Sequence, residues 1–575
     1  MRLLFDIETD DLSEKATKVH CIVALDLDTG TVHSFKPEQI REGVRLLQQA
    51  TLLVGHNILT FDIPIIERLF GVGLACDVRD TLVLSRLIWP DLRDTDFQAY
   101  GKDKSFPKEL IGRHSLKAWG YRLGIHKGDF NTGDLEVFKD WSPEMQSYCE
   151  QDVHLTKTLW DRIKKQNYAE EAVKLEHSFA RIIHKMELNG FGFDKAGADR
   201  LVLKLMQRRA ELELGLQRVF PPTLVHLKTK TKEIPFNPGS RNQIAERLTQ
   251  RYGWKPSEFT GDGKPRIDES VLSKLEYPEA KILLEYLLVV KRLGQVAEGE
   301  QAWVKLERGG RVHGRVNTNG AVTGRCTHNN PNMAQVPAVG SSYGTECRSL
   351  FTPRAGWKLV GADASGLELR CLAHYMSKWD GGSYATELVE GDIHTRNMKA
   401  AGLENRNQAK TFIYGFLYGA GDEKIGLIVG KGRTEGAKLR KRFLQQVPAL
   451  KHLKDAVAEA TQRRGHLRGL DGRLLPIRSP HAALNTLLQS AGALIMKRAT
   501  VILEYDLEER GFKFGKDWAL CAHIHDEVQI ECRSEIAQAV GEVAVQSIRK
   551  AGDSFGFRCP LAGEFRIGNN WAETH

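Results

Sequence analysis

Nine cysteines are scattered singly through the chain, with no C-x-x-C pair and an odd total. Neither a disulfide framework nor a structural zinc site fits that pattern, and a reducing cytoplasm is the expected setting. No run of 18 apolar residues occurs, and Met1 to Asp10 is acidic, so neither a membrane span nor a secretory leader is expected. Low-complexity tracts and repeats at solenoid periods are absent as well. What is present is a composition usual for folded domains, 41% hydrophobic and 27% charged, over 575 residues. At roughly 150 residues per domain that length suggests about three or four folding units. The formal charge of +9 suits a polyanionic partner, because each lysine or arginine set on a phosphate releases condensed counterions.

Residues 1–165 read as an α/β unit, with apolar strands at Leu3 to Ile7 and Thr51 to Val54 and helical stretches at Ser115 to Leu123 and Met145 to Trp160. From 166 to 219 the pattern is long, charged and helical until Phe220-Pro221-Pro222 stops it. A basic loop, Lys228 to Lys232, follows, then a second helical segment from Glu279 to Leu306. His313 to Gly324 reads as strands joined by turns, and Leu359 to Ala362 as a further strand. A helix-rich insertion spans 392–500, and Ala519 to Ile530 alternates like a hairpin that can share a sheet with the strand before Asp363.

In Phe5-Asp6-Ile7-Glu8-Thr9 two acids lie two apart on a predicted strand, so both point to one face and can converge on a hard divalent cation. Taken alone, D-x-E is a common pair on a solvated strand face. Two later segments, Asn57 with Phe61-Asp62 and Tyr148 with Asp152 four places on, supply an aromatic residue and two more acids. The order D-x-E, N-x-x-x-F-D, Y-x-x-x-D resembles the three motifs of DnaQ-like 3′→5′ proofreading nucleases. That resemblance implies that Asp6, Glu8, Asp62 and Asp152 hold two metal ions and that Tyr148 orients the attacking water. His114 reads as a surface histidine within reach of DNA.

A second set of acids lies downstream. Leu359 to Asp363 is an apolar strand ending in an acid, with a helix able to begin at Ser365, and His525-Asp526-Glu527 sits at the expected hairpin tip. Two aspartates on adjacent strands suit a two-metal site for in-line phosphoryl transfer, whereas the nearby histidines lack a third ligand at zinc spacing. Between the acids, Arg406, Lys410 and Tyr414 recur every four residues on one helical face, offering two cations and a ring to a nucleoside triphosphate. As a bare pattern this is also a solvated helix face.

Asp363 in D-x-S-x-x-E-x-R, the Arg406/Lys410/Tyr414 helix and His525-Asp526-Glu527 resemble, in order, motifs A, B and C of the DNA polymerase I family, family A. Thr323-Gly324-Arg325, Gly472-Arg473 and Asn485 to Gly492 are similar to it too, and wider stretches are most similar to replicative polymerases of short-tailed bacteriophages. The resemblance implies an RNase H-like exonuclease domain (1–165) beside a right-hand polymerase: thumb 166–310, palm 311–391 and 501–575, fingers 392–500. The fold class expected is therefore α/β and α+β multidomain.

Residue by residue, the resemblance implies that Asp363, Asp526 and the Ala364 carbonyl bind two magnesium ions, with manganese an alternative and Glu527 a nearby helper. His394, Arg406 and Lys410 would bind the incoming dNTP. Glu368 would be the steric gate against a ribose 2′-hydroxyl, beside Tyr414, and a tyrosine there goes with ready use of dideoxynucleotides. Arg325, Arg473, Gln489 and His525 would touch primer-template DNA from the minor-groove side. The best-known phage relatives carry a long thumb insertion that binds host thioredoxin; only Arg218 to Pro235 spans that place here, so no thioredoxin requirement is expected. A phage helicase or single-strand binding protein is a conceivable partner, and the cytoplasm of an infected bacterium the expected location. A single-subunit RNA polymerase, a dead accessory protein and a nuclease with a DNA-binding C-terminal part remain as alternatives; Glu368, the exonuclease motifs and the intact set of acids speak against them.

Overall fold

The computed structural model describes residues 1–11, 15–102, 106–125, 135–226 and 231–575. Two compact units result. One gathers Met1–Asn189, Val316–His328 and Val360–Ile567; the other Gly190–Arg315, Asn329–Leu359 and Gly568–His575.

The first unit begins with a mixed five-stranded sheet of β1 (Arg2–Thr9), β2 (Val19–Asp26), β3 (Val32–Phe35), β4 (Leu52–Gly55) and β5 (Asp77–Asp80), in the order β3-β2-β1-β4-β5. The antiparallel pairs β1/β2 and β2/β3 need only short connections. The parallel pairs β1/β4 and β4/β5 need crossovers, which the helices Ile40–Gln48 and Asp62–Phe70 supply. Leu3, Phe5 and Ile7 enter one apolar cluster and Leu4 another, so β1 is covered on both faces. The helix Pro143–Lys164 packs across β1 and β2, started by Ser142, whose hydroxyl accepts the Met145 N–H, and by Pro143 in its first turn. The helix Glu170–Asn189 follows and packs on Thr81–Ile88, on the long helix Ala483–Glu509 and on the strand Trp518–Ile524.

The rest of this unit holds a second sheet, of β6 (Trp357–Ala364), β7 (Trp518–Ile524), β8 (Glu527–Arg533) and β9 (Gly563–Gly568), in the order β7-β8-β6-β9. The expected hairpin is there, and its second strand lies beside the strand that ends at Asp363–Ala364, as the alternation suggested. Its two-residue turn is His525-Asp526, with His525 at φ 54, a left-handed value that such tight turns require. Helices Ile393–Ala401, Arg406–Leu417, Asp422–Leu427, Arg433–Gln446 and Pro448–Arg464 fill the insertion. Ala483–Glu509 is one unbroken helix through position 500, because nearly every turn of it is buried.

In the second unit, the strands Phe351–Thr352, Phe191–Phe193, Arg311–Val312 and Glu307–Arg308 form one sheet in that order. Its core is aromatic, with Phe191, Phe193, Trp303 and Trp571 around Phe351 at centroid distances of 5.2–5.6 Å. The helix Lys195–Val219 packs on Pro278–Leu293 and ends before the two prolines, as expected. The stretch 166–219 is thus two helices with Phe191–Phe193 between them. Of the basic loop, Lys228 to Lys230 lie outside the described residues, while Thr231 and Lys232 belong to a strand, Thr231–Ile234, paired with Thr223–His226. Among the described residues no helix is long and apolar enough to cross a membrane.

Candidate active sites

The first site forms where β1 meets the helices Asp62–Phe70 and Pro143–Lys164. Strand alternation sets Asp6 and Glu8 on one face, opposite Val23 and Cys21 of β2. Asp62 opens its helix and is buried, and its Oδ1 accepts the main-chain N–H of Ile7, the residue between Asp6 and Glu8, at 3.2 Å. Tyr148 and Asp152, one turn apart, are both buried. Burial chiefly, and then the charges of Asp80 and Asp152, push the Asp62 carboxyl up to about 8. Carboxylates gathered so tightly fit a divalent cation, which would relieve that repulsion. Cys149, which the motifs do not name, comes in as well: its thiol donates to the Asp6 main-chain oxygen at 3.4 Å and lies 3.6 Å from the Asp6 carboxylate. Atoms of Asp6, Glu8 and Cys149 able to bind a metal all lie within 4.8 Å of one another.

His114 departs from the sequence reading. It is half-buried, its Nδ1 lies 2.8 Å from Ser85 Oγ, and burial lowers its pKa to about 3, so it is tied to Ser85 rather than freely exposed.

The second site centres on the ends of β6 and the β7–β8 hairpin. The Ala364 N–H donates to the Asp526 carbonyl at 3.0 Å, which sets the exposed Asp363, at the end of β6, beside the exposed Asp526, in the β7–β8 turn. Glu527 turns inward and accepts from Gln529 Nε2 at 2.7 Å. The helix carrying Glu368 starts at Leu367, two residues later than expected, after Gly366 at φ 58, where only glycine is at ease. Glu368 accepts from Arg325 Nη2 at 3.3 Å and from the Tyr418 hydroxyl at 2.6 Å.

Arg406, Lys410 and Tyr414 do share the helix Arg406–Leu417, capped by the Asn405 side chain. Burial, then the charges of Glu368 and Asp526, raise the Tyr414 pKa. Burial, then the charges of Arg406 and Lys410, lower that of His394. Asp392 ties the cluster together: it caps the helix Ile393–Ala401 and accepts from Arg406 Nε at 3.1 Å. Tyr418 was legible as the next step in the spacing 406, 410, 414; Asp392 had no motif to announce it.

Of the four residues expected to touch DNA, Arg325 and Gln489 are half-buried and His525 is exposed. Arg473 is elsewhere. It is 2% exposed, and its guanidinium is spent on Asp471, on Glu176 Oε1 at 2.5 Å and on Asn319 Oδ1 at 3.1 Å. Lys497 joins the same buried cluster through Glu176 at 2.6 Å. A direct DNA contact by Arg473 does not fit this placement, because two carboxylates already hold it in the interior.

The family model of DNA polymerase family A matches residues 216–573. The chain belongs to DNA polymerase family A. It is 38% identical to a DNA-directed DNA polymerase of Enterobacteria phage T3 and 37% to one of Escherichia phage T7, each over the full length of both chains. A DNA polymerase I of Aquifex aeolicus is 25% identical over 92% of this chain and 90% of that one. The family frame covers the sheet that holds Asp363 and Asp526 and the helix that carries Arg406, Lys410 and Tyr414.

Proposed function

We propose that this family A chain is a DNA-directed DNA polymerase that extends a primer with dNTPs and trims it with its own 3′→5′ exonuclease. The observation that carries the polymerase reading is the Ala364–Asp526 hydrogen bond, which makes neighbours of two aspartates 163 positions apart in the sequence. In extension, the primer 3′ hydroxyl gives up its proton to solvent and its oxygen bonds to the α-phosphorus of the dNTP, while the bond from that phosphorus to the diphosphate breaks and pyrophosphate leaves. Arg406, Lys410 and His394 neutralise and orient the triphosphate, Glu368 and Tyr414 border its sugar, and Arg325, Gln489 and His525 face the primer-template.

Asp363, Asp526 and the Ala364 carbonyl would hold magnesium, or manganese in its place; Asp6, Glu8, Asp62 and Asp152 would hold it at the exonuclease. Bound there, such ions stabilise the charge that develops on the attacking and leaving oxygens. Tyr148 would orient the water at the exonuclease. The Asp62 carboxylate on the Ile7 N–H, between Asp6 and Glu8, and the clustering of Asp6 and Glu8 support that assignment. We assign thumb 166–310, palm 311–391 and 501–575 and fingers 392–500 to the hand, and the cytoplasm of an infected bacterium as the place of work. A helicase or single-strand binding protein would be its partners there. Only Arg218 to Pro235 spans the place of the thioredoxin-binding insertion, and the reading carries no thioredoxin requirement.

The test compares the intact protein with Asp363→Ala and with Asp6→Ala plus Glu8→Ala on a labelled primer with dNTPs and magnesium. Extension lost only in the first and 3′ shortening lost only in the second are the expected results. A protein that shortens primers but never extends them overturns the polymerase reading.

A further inference from the structure

Asp80 ends β5, and as a helix N-cap it would be an ordinary residue. Its surroundings are not ordinary. The carboxylate is 1% exposed and accepts four main-chain N–H groups. Two come from the first turn of the helix Thr81–Ile88, Leu82 at 2.8 Å and Val83 at 3.3 Å, and these are all that capping requires. The other two, Asn57 and Leu59, each at 3.0 Å, belong to the turn that leads into Asp62.

That turn is not at ease by itself. Asn57 has φ 69, in the left-handed region that asparagine enters more readily than most residues with a Cβ but that neighbouring bonds must hold in place. Thr60 closes the turn onto Asn57, through its side chain at 2.7 Å and its N–H at 3.2 Å. Asp62 then begins its helix with its carboxylate on the Ile7 N–H, between Asp6 and Glu8. From behind, the Asp80 N–H donates to His177 Nε2 at 2.8 Å, and His177 Nδ1 is 2.8 Å from the Val173 carbonyl, which fixes the ring. A continuous set of bonds therefore runs from the helix Glu170–Asn189 through Asp80 and the 57–60 turn to Asp62.

We propose that Asp80 is a positioning residue of the exonuclease: its carboxylate holds the 57–59 turn in the shape that brings Asp62 to Asp6 and Glu8. The proposal rests on the exonuclease reading above. An asparagine at position 80 keeps the size but turns two donors toward N–H groups that need an acceptor. A serine still caps the helix but is too short to reach the turn. Residues that orient metal ligands typically change metal affinity or activity 10–100-fold when removed.

The test uses the full-length protein with Asp80→Asn and Asp80→Ser, reading single-stranded 3′ trimming, primer extension and the thermal midpoint. Mn2+ binding by electron paramagnetic resonance is read in an Asp363→Ala background, so that it reports the N-terminal acids. We expect trimming to fall at least about tenfold and the Mn2+ dissociation constant to rise by a similar factor in both variants. Extension should stay within about twofold, and Asp80→Ser should keep the midpoint, as a retained cap requires. Unchanged trimming and Mn2+ affinity in Asp80→Ser would overturn the proposal. So would a parallel loss of trimming, extension and midpoint in that variant, since Asp80 would then hold only the fold. If the wild type never trims, the exonuclease reading falls, and Mn2+ affinity alone then decides whether Asp80 arranges these acids.

Discussion

Replacing Arg473 with methionine keeps the aliphatic stem and removes the guanidinium from a cluster that holds two carboxylates and two cations out of water. Glu176 would keep Lys497 at 2.6 Å, but Asp471 would lose both side-chain donors and retain only the main-chain N–H of residue 473, at 3.1 Å. Breaking a buried pair by removing one partner costs about 3–5 kcal/mol. For a cooperative unit of about 400 residues, at about 2.1 cal/mol/K of unfolding entropy per residue, that lowers the midpoint by about 4–6 °C. Adding Asp471→Asn removes the stranded charge and should recover part of the loss, a coupling of about 0.5–3 kcal/mol in a double-mutant cycle. Calorimetry gives the midpoints, and fluorescence anisotropy with a primer-template, taken well below them, gives DNA affinity. An unchanged midpoint together with a tenfold or greater loss of DNA affinity would return Arg473 to the DNA-facing role that its motif suggests.

Tyr414→Phe should make the polymerase discriminate against dideoxynucleotides; equal terminator sensitivity in both forms, read from sequencing ladders, removes Tyr414 from the sugar pocket. Added thioredoxin should not lengthen products in a single-binding processivity assay, and a large gain would point to a docking segment unlike the insertion. Acid should destabilise the chain early, because burial lowers His177 to about 4 and His523 to about 3. Each therefore stays neutral when folded but binds a proton once unfolded below its usual pKa of about 6.5, so stability is lost as pH falls from there toward 4, by up to about 1.4 kcal/mol per pH unit and histidine. Asp62, raised to about 8, works in the opposite sense, so the difference between proteins is the test: urea midpoints at pH 7, 6 and 5 should fall more steeply in the wild type than in His523→Gln, and equal slopes would contradict it.

Asp6, Glu8, Asp363 and the hairpin tip were legible because strand alternation and apolar runs are local, and local patterns survive in one dimension. The Arg406 helix was legible for the same reason, and its fourth member, Tyr418, was one step from being read. Arg473 was not, since what buries it are Glu176 and Asn319, 297 and 154 positions away. A charged residue next to glycine looks alike whether it faces phosphate or a buried acid. Gly324 belongs to the same lesson. At φ +78 it leaves room for the guanidinium, and a Cβ there would come within 2.5 Å of Arg473 Nη1, so a glycine that reads as part of a DNA-binding motif is also a packing requirement. The strand Phe191–Phe193 escaped because three residues between long helices carry no period to detect.

Glu176 and His177 are neighbours on one helix, yet the first reaches Arg473 and Lys497, far down the chain, while the second reaches Asp80 at the end of β5. Adjacent helical residues diverge by about 100°, which is how one segment grips both sides. A cut at position 165 would leave the N-terminal fragment without His177, and a cut after Asn189 would leave the remainder without Glu176. A single residue inserted ahead of them would swing both away from their partners at once. The helix thus acts as a shared axle whose length and phase are set from both sides, and grafting the N-terminal 165 residues of a relative onto this chain would succeed only if the graft keeps that axle in register.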